Sequence, residues 1–150
     1  MTDGLPIAFI DTNVWISGFM SVHGSPGRVL QAFLDERFVP VTSVPAMNEL
    51  RNVISRDVIR ARIQFTDAMV ETALMRLDEV AIKAQPSGTL RICRDPKDDI
   101  MLETAIAGDA QYVVSGDNDI KDDLNLIAHL HEHGIEVVTV AQFLALLGEG

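Results

Sequence analysis

Four short segments of this 150-residue chain set carboxylates among small polar residues: Asp11-Thr12-Asn13, Glu49, Asp95-Pro96-Lys97-Asp98-Asp99 and Ser115-Gly116-Asp117-Asn118-Asp119. Carboxylates gathered at one place repel and raise one another's pKa unless a cation neutralises them. Oxygen donors of this hard kind suit Mg²⁺ or Mn²⁺, which keep several waters and accept phosphate oxygens. The chemistry such a set performs is metal-assisted phosphoryl transfer, with water activated and the scissile phosphate clamped. No Cys/His spacing of the zinc kind competes. The one cysteine, Cys93, has no neighbouring histidine and no case as a nucleophile.

Each acid also has an ordinary reading. Asp11 suits a turn after a strand. Asp98 or Asp99 before an apolar helical run suits a cap or a partner for the helix dipole. Asp117 and Asp119 lie in a Gly/Asn turn. Glu49 falls at the margin of the arc formed by Ala46, Leu50 and Val53, where a hydrogen bond to Asn52 or a salt bridge to Arg56 would occupy it. The functional reading therefore depends on whether the fold brings the four segments to one edge.

The elements that must do so follow from period. Pro6 to Ile10 is an apolar run that ends at a charge, a buried strand. Ser25 caps a helix through Glu36, with Pro26 in its first turn and Val29, Leu30, Phe33 and Leu34 on one face. Phe38 to Thr42 is a second strand, and Ser43 caps a helix with Met47, Leu50, Val53 and Ile54 inward. Helices follow at Arg56 to Gln64 and Thr66 to Leu77, then a short strand at Val80 to Ala84. Gln85 to Lys97, with Pro86, Gly88 and Pro96, is a loop. Asp98 to Ala107 is a helix ended by Gly108 as C-cap. Tyr112 to Ser115 is a strand, Leu124 to His133 a helix, Gly134 to Thr139 a strand and Ala141 to Leu147 a closing helix. Strands alternating with helices predict a parallel sheet covered on both faces, with ligands outside the carboxyl ends of its strands. Those ends are where the acids stand.

Charge adds to this. The chain has 12 Lys+Arg against 22 Asp+Glu, a net charge of -10. Residues 1–94 are neutral, with 10 acids and 10 bases, whereas residues 95–123 hold 9 acids against Lys97 and Lys121. Beyond Asp123 there are three glutamates and no base. Coating of nucleic acid by bulk positive charge is excluded. At 47% hydrophobic residues the composition is globular, and the length suits one domain over residues 1–150. No run approaches the roughly 18 apolar residues of a membrane span, and no secretory signal precedes the first strand. A single cysteine forbids an intrachain disulfide and fits a reducing cytosol, so a cytoplasmic location is expected.

The ordered set Phe9-Ile10-Asp11-Thr12-Asn13-Val14, Ser17-Gly18, Glu49-Leu50, Asp95-Pro96-Lys97-Asp98-Asp99-Ile100, Thr104-Ala105-Ile106-Ala107-Gly108 and Tyr112-Val113-Val114-Ser115-Gly116-Asp117-Asn118-Asp119 resembles the PIN-domain nucleases. Its order and spacing are most similar to the VapC-like toxins of bacterial toxin–antitoxin pairs. The resemblance implies an α/β/α sandwich around a mainly parallel sheet of four to five strands, with endoribonuclease activity that depends on one or two Mg²⁺ or Mn²⁺ ions. By the family pattern Asp11, Glu49, Asp99 and Asp117 are the metal-binding carboxylates and Asp119 an accessory one. Thr12, Asn13 and Ser115 support them by hydrogen bonds. Ser115 stands where threonine is commoner, and the doubled acid leaves Asp98 or Asp99 as the ligand. Asp99 keeps the family's distance to Ala105. A cognate antitoxin and a homodimer are the implied protein partners.

An acidic enzyme on a polyanionic RNA needs cations away from the metal. Arg51, Arg56, Arg60 and Arg62 fall within 12 positions beside the Glu49 helix and could contact phosphates, receive an acidic antitoxin segment, or form a solvated face paired with Asp57. His129, His131 and His133 alternate; only the outer two share a helix face, as a metal pair or as polar residues of a helix end. Trp15 could stack on a base or pack against the first helix or a second subunit. Leu144, Leu146 and Leu147 could cover the sheet or a second subunit. A receiver-like phosphoacceptor would need two adjacent acids after the first strand and a late lysine. A haloacid-dehalogenase-type phosphatase would need Asp-x-Asp there, where Asn13 stands. A catalytically silent module on the same fold is the remaining alternative.

Overall fold

A computed structural model describes residues 4–93, 95–116 and 122–148 of the chain. Its strands are β1 (Ile7–Ile10), β2 (Val39–Thr42), β3 (Ile82–Lys83), β4 (Tyr112–Val114) and β5 (Glu136–Val138). Its helices are α1 (Thr12–Met20), α2 (Ser25–Leu34), α3 (Val44–Ile54), α4 (Asp57–Arg60), α5 (Asp67–Val80), α6 (Pro96–Ala107), α7 (Leu124–Glu132) and α8 (Val140–Leu146). All pairings are parallel, and the sheet runs β3-β2-β1-β4-β5.

Alternation along the strands divides the core in two. Ala8, Ile10, Val114 and Val138 face one layer, with apolar residues of α1, α2, α3, α5 and α8. Phe9, Val41 and Val113, level with one another across three strands, face the other with α6 and α7. The result is a three-layer α/β/α sandwich, as read from the alternation of strands and helices. Because β1 lies between β2 and β4, the chain changes its direction of travel across the sheet at the β1–β4 pair. In open parallel sheets the crevice forms at that switch, outside the carboxyl ends of the two strands. Asp11 follows β1 and Ser115 follows β4.

Several local expectations need correction. Residues 12–20, where no period in the sequence marks an element, form α1. Its Val14, Trp15, Ile16 and Phe19 are all buried, so it is apolar around most of its girth and shows no amphipathic period. Trp15 meets Phe33 of α2 edge-on, with centroids 5.3 Å apart, so it packs in the core. Ser25 does not cap α2; Gly24 holds that position and Ser25 enters the first turn with Pro26. The expected helix at 56–64 shrinks to the single turn of α4, which buries no residue and so has no face for the core to select. α6 begins earlier, at Pro96, with the Asp95 carboxylate accepting from the Lys97 amide at 2.9 Å. Asp98 and Asp99 are therefore inside the helix. Gly108 does end α6, but at φ -88°, and the left-handed residue is Asp109 at φ 53°.

Candidate functional site

Asp11 stands at the end of β1 as the N-cap of α1. Its amide donates to the Val114 carbonyl at 3.0 Å, extending the β1–β4 ladder by one residue. Its Oδ1 accepts the Asn13 amide at 3.4 Å, and its Oδ2 accepts the Ser115 hydroxyl at 3.2 Å. Ser115 is fully buried, and its own amide donates to Val138 of β5 at 3.1 Å. Two strand ends thus orient one half-exposed carboxylate from below. Thr12 is buried in the first turn of α1, and Asn13 is exposed, contributing its backbone amide to Asp11.

Glu49 projects from α3 toward the start of α6, where Lys97 Nζ lies 4.0 Å from its Oε2. That partner replaces the Asn52 and Arg56 contacts that spacing offered. The approach is set by a buried hydroxyl pair: Ser43 Oγ, which caps α3 by accepting the Ala46 amide, lies 2.8 Å from Thr104 Oγ1 of α6. α3 is therefore pinned to α6 near one end, and its Glu49 turn faces the acidic first turn of α6.

In that turn Asp98 is half-buried, and Asp99 is only 2% exposed. Asp99 Oδ1 accepts the amides of Ile92 and Cys93 at 3.0 and 2.8 Å. Burial alone would raise its pKa, but the Cys93 and Ile92 amides, the Cys93 thiol and the nearby Arg91 charge together hold the carboxyl below its ordinary value. The same geometry acts in reverse on Cys93, whose thiol is pushed up to about 12 by burial, then by its bond to Asp99 and the charges of Asp99, Asp98 and Asp123.

One turn further, α6 carries a carboxylate that the sequence did not single out. Glu103 is 6% exposed; its Oε2 accepts the Ser87 hydroxyl and, at 3.2 Å, the Thr89 amide. Burial opposes its charge, and the bonds from Ser87, Thr89, Leu90 and Gly88 outweigh that, leaving its pKa lowered. Asp95, Asp99 and Glu103 follow at intervals of four, and the last two hold the 87–93 loop by its amides. That spacing is the signal that could have revealed Glu103. Its Oε1 is buried without a hydrogen bond among the described residues.

The arginines do not form one free patch. Arg51 pairs with Glu71 at 3.2 Å and Arg60 with Asp67 at 2.6 Å, both acids of α5 rather than Asp57. Arg56 and Arg62 are exposed. Arg51 also lines a cleft of about 380 Å³ with Ser43, Asn48, Asp78 and Lys83, at the carboxyl ends of β2 and β3. Asp117 and Asp119 lie outside the described residues. Among the described residues no three Asp, Glu, His or Cys side chains converge closely enough to hold a metal ion. No described helix is long and apolar enough to cross a membrane.

The sheet order, with Asp11 following β1 and Ser115 following β4, defines a doubly wound parallel α/β fold. The family model of the PIN domain matches residues 8–119, from within β1 through the strand end after β4. The chain belongs to the PIN-domain family. PIN domains are generally nucleases that act on nucleic acids and typically use divalent metal ions. The chain is also similar to an uncharacterized protein of Methanocaldococcus jannaschii, 25% identical over 137 residues that cover 90% of this chain and 87% of that one. No solved structure matches it significantly.

Proposed function

We propose that the chain is one PIN unit that hydrolyses RNA phosphodiester bonds with Mg²⁺ or Mn²⁺, as the toxin of a toxin–antitoxin pair. The observation that carries this reading is the Asp11 carboxylate at the β1–β4 switch point, held by the Ser115 hydroxyl at 3.2 Å. A carboxylate kept in one orientation by a buried donor is how proteins prepare a metal-binding oxygen. Asp11, Glu49, Asp99 and Asp117 would hold the ion, with Asp119 accessory and Asp98 the alternative to Asp99. The donor set is all oxygen, the preference of Mg²⁺ and Mn²⁺. A bound ion would lower the pKa of its water and neutralise the phosphate in an in-line displacement.

The protein's own part is positioning. Ser115 and the Asn13 amide fix the rotamer of Asp11. The Ser43–Thr104 pair sets α3 against α6, and Lys97 beside Glu49 moderates the repulsion among the acids. Arg51 and Lys83 line the neighbouring cleft and, with Arg56 and Arg62, offer phosphate contacts along the RNA. Between α1, α2 and α5 an apolar groove of about 300 Å³, lined by Phe19, Leu30, Leu34, Phe65 and Met69, suits an amphipathic helix of an antitoxin. Leu146, 49% exposed on α8, suits a homodimer contact.

The test is cleavage of RNA by purified protein with Mg²⁺ or Mn²⁺, alongside Asp11→Asn. Cleavage by the wild type and its loss in the variant support the reading. Equal cleavage by both removes it, and absence of cleavage together with no divalent binding by calorimetry assigns a silent module instead. A short upstream reading frame with a DNA-binding N-terminus would support the toxin role.

A further inference from the structure

His129 lies in the last turn of α7 and His133 is its C-cap, and their ring centroids are 5.1 Å apart at an interplanar angle of 42°. Residues four apart on a helix share a face. With a metal–nitrogen bond of about 2.1 Å and about 1.1 Å from that nitrogen to the ring centre, two imidazoles spanning a tetrahedral angle have centres about 5 Å apart. The observed centroid spacing accommodates one ion shared by the two rings.

Two further features favour a cation there. His133 Nδ1 lies 3.3 Å from the His129 carbonyl oxygen. A ring that donates to that carbonyl keeps its Nε2 lone pair for a ligand, which is how ligating histidines are held in one tautomer. The site is also at the C-terminal end of α7, where the helix dipole attracts positive charge. The sequence adds that Glu132 and Glu136 are exposed just before and just after His133 in the chain, and that no Lys or Arg follows Lys121.

We propose that His129 and His133 form a two-imidazole site for a borderline divalent ion of the Zn²⁺, Ni²⁺ or Cu²⁺ class, separate from the carboxylate edge. Imidazole suits these ions, whereas Mg²⁺ prefers oxygen. Two protein ligands leave the remaining positions to water. His131, two residues from each partner, points to another face of α7 and takes no part.

The test is a Zn²⁺ titration of the whole protein in excess Mg²⁺, followed by NMR of its four histidines. The ring signals of His129 and His133 should move together and saturate at one equivalent, while those of His23 and His131 stay in place. His133→Gln should weaken this binding about 10²-fold through loss of the chelate partner, with circular dichroism unchanged. Asp11→Asn should leave the shifts intact. Uniform response of all four histidines, an unaltered titration in His133→Gln, or loss of the shifts in Asp11→Asn would each overturn the assignment.

Discussion

Ser115 donates its hydroxyl to Asp11 at 3.2 Å across 104 residues of sequence, joining the first residue after β4 to the first after β1. The bond lies at the sheet's switch point, where a wholly buried hydroxyl has little freedom to aim elsewhere. Its role is to keep one carboxylate rotamer.

Ser115→Ala should therefore lower activity more than stability. Net loss of one such hydrogen bond costs about 1 kcal/mol, a modest shift in a denaturant midpoint. Loss of a supporting bond to a metal-binding carboxylate costs about 10-fold or more in activity or metal affinity. Ser115→Thr keeps the hydroxyl and should retain most of the activity. Nuclease rates and urea curves for both variants decide it; a Ser115→Ala protein with wild-type rate and metal affinity removes the role.

Asp99 has two separable functions. Asp99→Ala strips the acceptor from the Ile92 and Cys93 amides and should cost about 2 kcal/mol, with faster amide exchange at those two residues. Asp99→Asn keeps an acceptor of the same shape and should fold nearly as well. If Asp99 also contributes to the metal site, that variant should lose activity while keeping its fold. The folded carboxyl is held below its ordinary 3.8, so its contribution is fully present above that value and disappears as pH falls through the lower folded one. An acid-unfolding profile of Asp99→Asn, compared with wild type, should be flatter below pH 3.8.

Much of this was legible in the sequence. Apolar runs located β1, β2 and β4, because a buried parallel strand has few other ways to read; the short strand expected at 80–84 is only Ile82–Lys83, both exposed, with Val80 still in α5. Asp11 and Ser115 were visible as the residues next after two of them. α1 was not, since a helix buried on most sides has no polar face to mark its period. Glu103 was hidden for a different reason: its partners, Ser87 and the Thr89 amide, come from a loop whose path no periodicity describes. The Arg51–Glu71 and Arg60–Asp67 pairs join α3 and the end of α4 to α5, across gaps that a wheel drawn on one helix cannot show.

Cys93 should be an unreactive thiol. With its pKa raised from 9.0 to about 12, the thiolate fraction near pH 8 falls about 10³-fold below that of an unperturbed cysteine. Iodoacetamide should label it slowly, and Asp99→Ala should speed the labelling by removing both the bond and a negative charge. Because the folded value is the higher one, the thiol's contribution to stability is present below pH 9.0 and is lost as pH rises toward 12. Cys93→Ala should lessen the fall in denaturant midpoint over that range. Rapid labelling of the native protein at pH 8 would contradict the environment described.

Gly108 is required by proximity rather than by its φ. A Cβ built there would lie 2.4 Å from Val41 Cγ1 and 3.2 Å from the Thr104 carbonyl oxygen. At φ -88° any residue could adopt the backbone, so the conflict is one of packing alone. Val41 cannot turn aside cheaply: a β-branched side chain has few allowed χ1 states, and this one sits 3% exposed in the core between β2 and α6. Gly108→Ala should cost about 1–3 kcal/mol and lower Tm by about 3–9 °C. Removing the obstructing methyl groups reverses the sign of the interaction, so Val41→Ala combined with Gly108→Ala should be more stable than the sum of the two single changes allows, by about 1 kcal/mol or more. Thermal melts of the four proteins measure that coupling directly, and strict additivity would show that the contact is relieved elsewhere.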